Sequence, residues 1–159
     1  MSKLLYGTND RITGHLFDWF AAQLPYGLTG NDLRPGYAIG CMEGDELVAV
    51  VIFNQLRRDS AEIGIVSTSP KWLTRQVCTH IASFAFDILN LRRLTGITPK
   101  KNKRARELAL RLGFVYEATL KEGYANGEDA TVYRMLRREC KWLKTPNADQ
   151  PNTGVPLHA

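Results

Sequence analysis

One stretch of this sequence brings positive charge and main-chain donors together. From Arg92 to Phe114 the chain reads RRLTGITPKKNKRARELALRLGF. A short apolar run, Leu94 to Ile97, breaks at Pro99. A helix is then expected, because Ala105, Leu108, Ala109 and Leu112 recur at i, i+3, i+4 and i+7. Asn102 stands at its mouth, Gly113 sits where a helix ending in αL wants no Cβ, and Phe114 restarts a strand. Unpaired N–H groups and the macrodipole make such a mouth an anion site, with Lys100, Lys101, Lys103 and Arg104 beside it. The same residues also suit a solvated basic face, with Asn102 a simple helix cap.

Other chemistries find no support. No Ser/His/Asp order, Walker loop or metal-ligand spacing is present, and no metal is expected. His15 and His80 fall in helical patterns and His158 near the C-terminus. Cys41, Cys78 and Cys140 are scattered and odd in number, which reads as reduced packing residues of a cytoplasmic protein. A net charge of +5 suits an anionic ligand without naming one. No apolar run approaches the ~20 residues of a membrane span, and the N-terminus lacks a signal-peptide core.

The positioning elements can be read in order. At 159 residues, 44% hydrophobic and 23% charged, the chain suits one globular domain over residues 1–143. Residues 144–159 are polar and proline-rich, and read as a disordered tail. Lys3 to Tyr6 form a first strand. Ile12, Leu16, Trp19, Phe20 and Leu24 mark a helix that Pro25 ends. Tyr26 to Gly36 is loop-like. Tyr37–Met42 and Glu46–Leu56 flank Glu43-Gly44-Asp45 as a hairpin, and Ala61–Val66 adds a third antiparallel strand. A long helix is expected over Leu73–Leu89, burying Leu73, Val77, Ile81, Phe84, Ala85 and Ile88. Because it crosses over, Leu94–Ile97 must run parallel to Ala61–Val66. Val115–Leu120 and Ala130–Leu136 close the chain as an antiparallel pair around Asn126-Gly127.

The segment R-R-L-T, then N-x-x-A-x-x-L and L-G-F with a following acidic residue, resembles the second half of the GNAT acyl-CoA transferase core. Together with the closing DATVYRMLRRECKWL it is similar to the branch that acetylates protein N-termini and to short phage-encoded relatives. The likeness covers Asp45 to Trp142. It implies an α/β (α+β) GNAT fold: a mixed, mostly antiparallel twisted sheet of six or seven strands, a central parallel pair and about four helices. It also implies acetyl-CoA as co-substrate and an amine-bearing acceptor, either a protein N-terminus or a small molecule. Tyr26, Leu28 and Tyr37 would then be either acceptor-wall residues or ordinary surface packing.

The resemblance also assigns a pyrophosphate loop, R/Q-x-x-G-x-G/A, ahead of the long helix. Here that loop reads Ser67-Thr-Ser-Pro-Lys-Trp-Leu-Thr-Arg75-Gln76, and both glycines are missing, with Pro70 and Trp72 near their places. Pro70 has no N–H, and Trp72 prevents the close approach of glycine. The remaining donors are Lys71, the amides of about Leu73 to Gln76, the Thr74 hydroxyl and Arg75, which could clamp a phosphate. By the same resemblance the pantetheine arm pairs with Ile63–Ser67, Ile65 and Val66 included. Gly64 is either a close-approach or a packing glycine. Asn102 would meet the arm, and Lys101, Lys103, Arg104 and Arg106 the 3′-phosphate.

For chemistry, the acceptor ammonium must lose a proton and the leaving thiolate gain one. Glu62, on the strand lining the acetyl group in relatives, is the expected base; the other reading is a solubility carboxylate. The family's acid tyrosine is replaced by Ala109, leaving Tyr124, Tyr116, Ser67 or water. Two alternatives keep the fold: a nucleic-acid modifying enzyme of the phage Mom type, compatible with Arg57-Arg58 and the positive charge, and a degenerate binding module.

Overall fold

The computed structural model describes residues 2–143, so the expectation for 144–159 lies outside the described residues. Seven strands form one mixed sheet: β1 (Ser2–Tyr6), β2 (Gly36–Glu43), β3 (Glu46–Asn54), β4 (Ser60–Ser67), β5 (Arg93–Pro99), β6 (Val115–Leu120) and β7 (Ala130–Leu136). Their spatial order is β1-β2-β3-β4-β5-β7-β6. Three α-helices accompany them: α1 (Asp10–Ala22), α2 (Arg75–Ser83) and α3 (Lys103–Arg111). Within the described residues the chain divides into two compact units, 2–56 with 63–77, and 57–62 with 78–143.

In the first unit, β1, β2 and β3 are antiparallel, and Gly44 turns the hairpin at φ 59°. Val48 to Phe53 are all buried, so β3 reads as a continuous apolar run, as a strand covered on both faces must. Asn9 caps α1: its Oδ1 accepts the Ile12 N–H at 3.0 Å. The helix lays Leu16, Phe17, Phe20 and Ala21 onto Ala38, Val50 and Ile52. Gly64 of β4 proves to be a packing glycine. A Cβ there would come within 2.9 Å of the Phe20 ring and 3.1 Å of Ile52.

In the second unit, the parallel pairing takes in Ser60–Glu62 of β4 against Arg93–Thr95 of β5. Strand β7 inserts between β5 and β6, antiparallel to both. The expected Leu73–Leu89 helix is corrected at both ends. It starts at Arg75, and after Ser83 it widens into a π-turn over Phe84–Ile88, closed by the Leu89 N–H on the Phe84 carbonyl at 2.8 Å. A π-turn takes one extra residue, so the apolar face slips by a position. Phe86 and Leu89 are buried, and Ile88, expected inside, is 58% exposed.

Helix α3 is capped from outside at its C-terminus. Gly113 takes φ 95°, as expected for αL, and the Trp142 indole N–H donates to the Leu112 carbonyl at 2.8 Å. Lys141 Nζ reaches the Arg111 carbonyl at 3.0 Å. These are orphan carbonyls of a helix end, and the two side chains satisfy them. Trp142→Phe keeps most of the ring and removes the donor. It is expected to lower stability by about 1–3 kcal/mol in denaturant melts; an unchanged midpoint would show that water replaces the indole.

Candidate active site

The loop after β4 is held by its own hydrogen bonds. Thr68 donates its N–H to the Val48 carbonyl at 2.8 Å, and its hydroxyl to the same oxygen at 3.3 Å. Ser69 Oγ donates to Glu43 at 3.4 Å and accepts from the Lys71 N–H at 3.4 Å. Trp72 is 2% exposed and belongs to the core, so what it can offer a ligand is main chain only. Its carbonyl accepts the Thr74 N–H at 3.0 Å. Thr74 Oγ1 in turn accepts the Val77 N–H at 3.2 Å, the N-cap of α2, which leaves its hydroxyl proton available to donate. Lys71, Arg75 and Gln76 are exposed; Leu73 and the strand residues Ile65, Val66 and Ser67 are half-buried.

Reading a Thr followed by a helical stripe as an N-cap would have set the helix start at Arg75 from sequence alone. The burial of Trp72 carries no such local signal. The loop as built holds two cations beside a helix N-terminus, while the Thr74 and Val77 amides are already engaged. Anion binding here would therefore rest on side-chain charge more than on an amide nest.

Glu62 lies in the second unit, paired with Thr95 and half-buried. Partial burial raises its carboxyl pKa, and the Arg57 charge pulls it partway back. Tyr124 is half-buried in the turn between β6 and β7. Its N–H bonds the Glu128 carbonyl at 2.9 Å, and Asp129 holds the same turn by accepting the Glu122 N–H at 3.0 Å. That bond, with Lys121, keeps the Asp129 carboxyl below its usual pKa. Tyr116 is 51% exposed on β6, its hydroxyl hydrogen-bonded to Thr119 Oγ1 at 2.7 Å.

The mouth of α3 is less open than its sequence suggests. Asn102 Oδ1 accepts the Ala105 N–H at 3.0 Å, and the Asn102 carbonyl accepts the Arg106 N–H at 3.1 Å. Lys103 N–H goes to the Lys101 carbonyl at 3.0 Å, and Lys103 Nζ lies 3.9 Å from Glu107. Arg106 folds back onto the Lys100 carbonyl at 3.0 Å. Lys101 and Arg104 remain exposed cations. Among the described residues, no group of three or more His, Cys, Asp or Glu is placed to hold a metal ion, and no helix is long and apolar enough to cross a membrane.

Solved structures share this fold. A spermidine N-acetyltransferase (SpeG) from Vibrio cholerae, solved as a dodecamer in an intermediate state, superposes at TM-score 0.67. It is 18% identical, over 86% of this chain and 94% of that one. A substituted form of the same enzyme superposes at 0.68 over 90% of this chain and 96% of that one, at 16% identity. The chain has the GNAT acetyltransferase fold. No family model matches the sequence, and no curated protein matches it. At this level of identity the likeness is one of fold.

Proposed function

We propose that this protein is an N-acyltransferase that moves an acetyl group from acetyl-CoA to a primary amine. The observation that carries the reading is Glu62. It is a half-buried carboxylate with raised proton affinity, on the strand that pairs in parallel with β5 in a GNAT fold. A base must bind the proton it removes without being permanently protonated, and partial burial opposed by one arginine moves a carboxyl in that direction. The similar solved enzymes acetylate spermidine, which supports an amine acceptor. That amine belongs to a protein N-terminus or to a small molecule.

Acetyl-CoA supplies an acyl thioester. The residues that would hold it are Lys71, Thr74, Arg75 and Gln76 at the start of α2, with the Ile63–Ser67 backbone for an amide-bearing arm. Their chemistry fits a diphosphate: two cations, a hydroxyl able to donate, and a helix N-terminus. Glu62 takes the ammonium proton. The proton returned to the leaving sulfur comes from Tyr124, Ser67 or water. Positioning alone can supply ~7–11 kcal/mol of such a barrier, so activity does not require the family's tyrosine.

Acetyl-CoA is expected to raise the melting temperature, because a ligand bound only by the native state stabilises it by mass action, about 2.7 kcal/mol at a hundredfold excess over Kd. Thermal melts with and without the co-substrate check this. Arg75→Ala should shrink the shift by weakening the phosphate clamp. No shift at millimolar acetyl-CoA would overturn the reading.

A further inference from the structure

Three arginine pairs, far apart in sequence, are tied together at one end of three neighbouring strands of the second unit. Arg57-Arg58 lead into β4, Arg92-Arg93 open β5, and Arg137-Arg138 leave β7. The Asp59 carbonyl accepts the N–H groups of both Arg92 (2.8 Å) and Arg93 (3.2 Å). The Arg92 carbonyl accepts the Arg137 N–H at 2.9 Å, and the Arg57 N–H closes on the Ser60 carbonyl at 2.8 Å. Sheet register carries the same arrangement, Ser60 opposite Arg93 and Arg93 opposite Leu136.

Two of the six charges are matched locally. Arg93 pairs with Glu117, and Arg137 pairs with Asp87 at 2.6 Å while also donating to the Phe86 carbonyl. Arg57, Arg58, Arg92 and Arg138 are exposed, and none forms a side-chain ion pair among the described residues. The nearby carboxylates are Asp59, beside Arg58 just before β4, Glu62, which feels Arg57, and Glu139, which pairs with Arg134 at 3.2 Å and also feels the Arg138 charge.

Exposed like charges gathered at neighbouring strand ends create a local positive potential that attracts an anion. The cations are all guanidinium groups, whose planar fork fits a pair of phosphate oxygens better than an ammonium does. Adjacent strands lie about 4.8 Å apart, so the three pairs form a row and not a single pocket. A row of forks suits an extended polyanion. We propose that this face binds the phosphodiester backbone of nucleic acid, without regard to base sequence. A polycation would be repelled from it. The inference stands independently of the acyltransferase reading.

The test is fluorescence anisotropy of a labelled DNA duplex of about 20 base pairs, titrated with the full chain over a range of salt. Four arginine–phosphate contacts predict a log–log salt slope of roughly −3 to −4. Arg58→Gln, Arg92→Gln and Arg138→Gln combined should fold, because the ties that build the face are main-chain bonds. The triple variant should lose at least about tenfold in affinity and flatten the slope by about 0.9 per lost contact. A control removing Lys3, Arg11 and Lys121 takes away equal charge elsewhere, and should bind within about threefold of the parent. Should the triple variant not fold, Arg58→Gln and Arg92→Gln singly are each expected to weaken binding by about threefold or more. Equal binding by parent and arginine variants would overturn the proposal. So would an equal loss in the control, or displacement of the duplex by polyglutamate as effectively as by unlabelled duplex.

Discussion

Glu62→Gln is expected to fold, to bind acetyl-CoA as tightly as the parent, and to turn over roughly 10²–10⁴-fold more slowly. The amide keeps the shape of the side chain and cannot take a proton, so binding and chemistry separate. The pH profile should report the difference. Burial raises the Glu62 pKa above its ordinary value. Parent activity therefore climbs as pH rises through that raised value and the carboxylate forms. The variant lacks this limb and gains only where the acceptor amine is itself neutral, so the gap should narrow at high pH.

Stability carries an independent sign. A carboxyl whose folded pKa is raised contributes stability that is complete below its unfolded pKa and is lost as pH rises through the folded one. At neutral pH the Glu62 carboxylate is thus a small cost, and the variant should melt no lower than the parent. Initial rates across pH, with peptide N-termini, polyamines and nucleic acid as acceptors, provide the measurement. Full activity of the variant at every pH would return Glu62 to a surface carboxylate and give the proton to water or to the turn at Tyr124.

Trp72→Ala should cost about 3–5 kcal/mol, the range for truncating a buried large aromatic. In a domain of this size each kcal/mol is worth ~2–4 °C, so the melting point should fall by roughly 6–20 °C. The indole is among the largest fully buried side chains of the protein, yet it belongs to the loop expected to meet the co-substrate. It anchors that loop from below while Thr68 and Ser69 tie it to β3 and to Glu43. Loss of the anchor should therefore also reduce the melting shift given by acetyl-CoA, and Trp72→Phe should recover part of both. A fall of only a degree or two would show that the site closes over the missing ring, and that the loop is held by its hydrogen bonds alone.

Most of the elements were legible because their signals are local. The stripe from Ala105 to Leu112, Asn102 before it and Gly113 after it define α3 within a dozen residues, and the structure agrees on all three. Asn126-Gly127 and Glu43-Gly44-Asp45 mark their turns in the same way, since positive φ leaves few residue choices. The parallel relation of β4 to β5 was also determined, because a helical crossover permits little else.

What only the tertiary structure decided depends on which segments meet. The insertion of β7 between β5 and β6 is a choice of partner that no single strand encodes. The slip that buries Phe86 and exposes Ile88 follows from a π-turn, which a 3.6-residue period cannot announce. Trp72 is buried, and nothing in its sequence neighbours says that it belongs to the core. The three arginine pairs are ordinary surface dipeptides when read along the chain. Backbone hydrogen bonds between strand ends bring them to one place, because main-chain pairing couples residues by register and is indifferent to their distance in sequence.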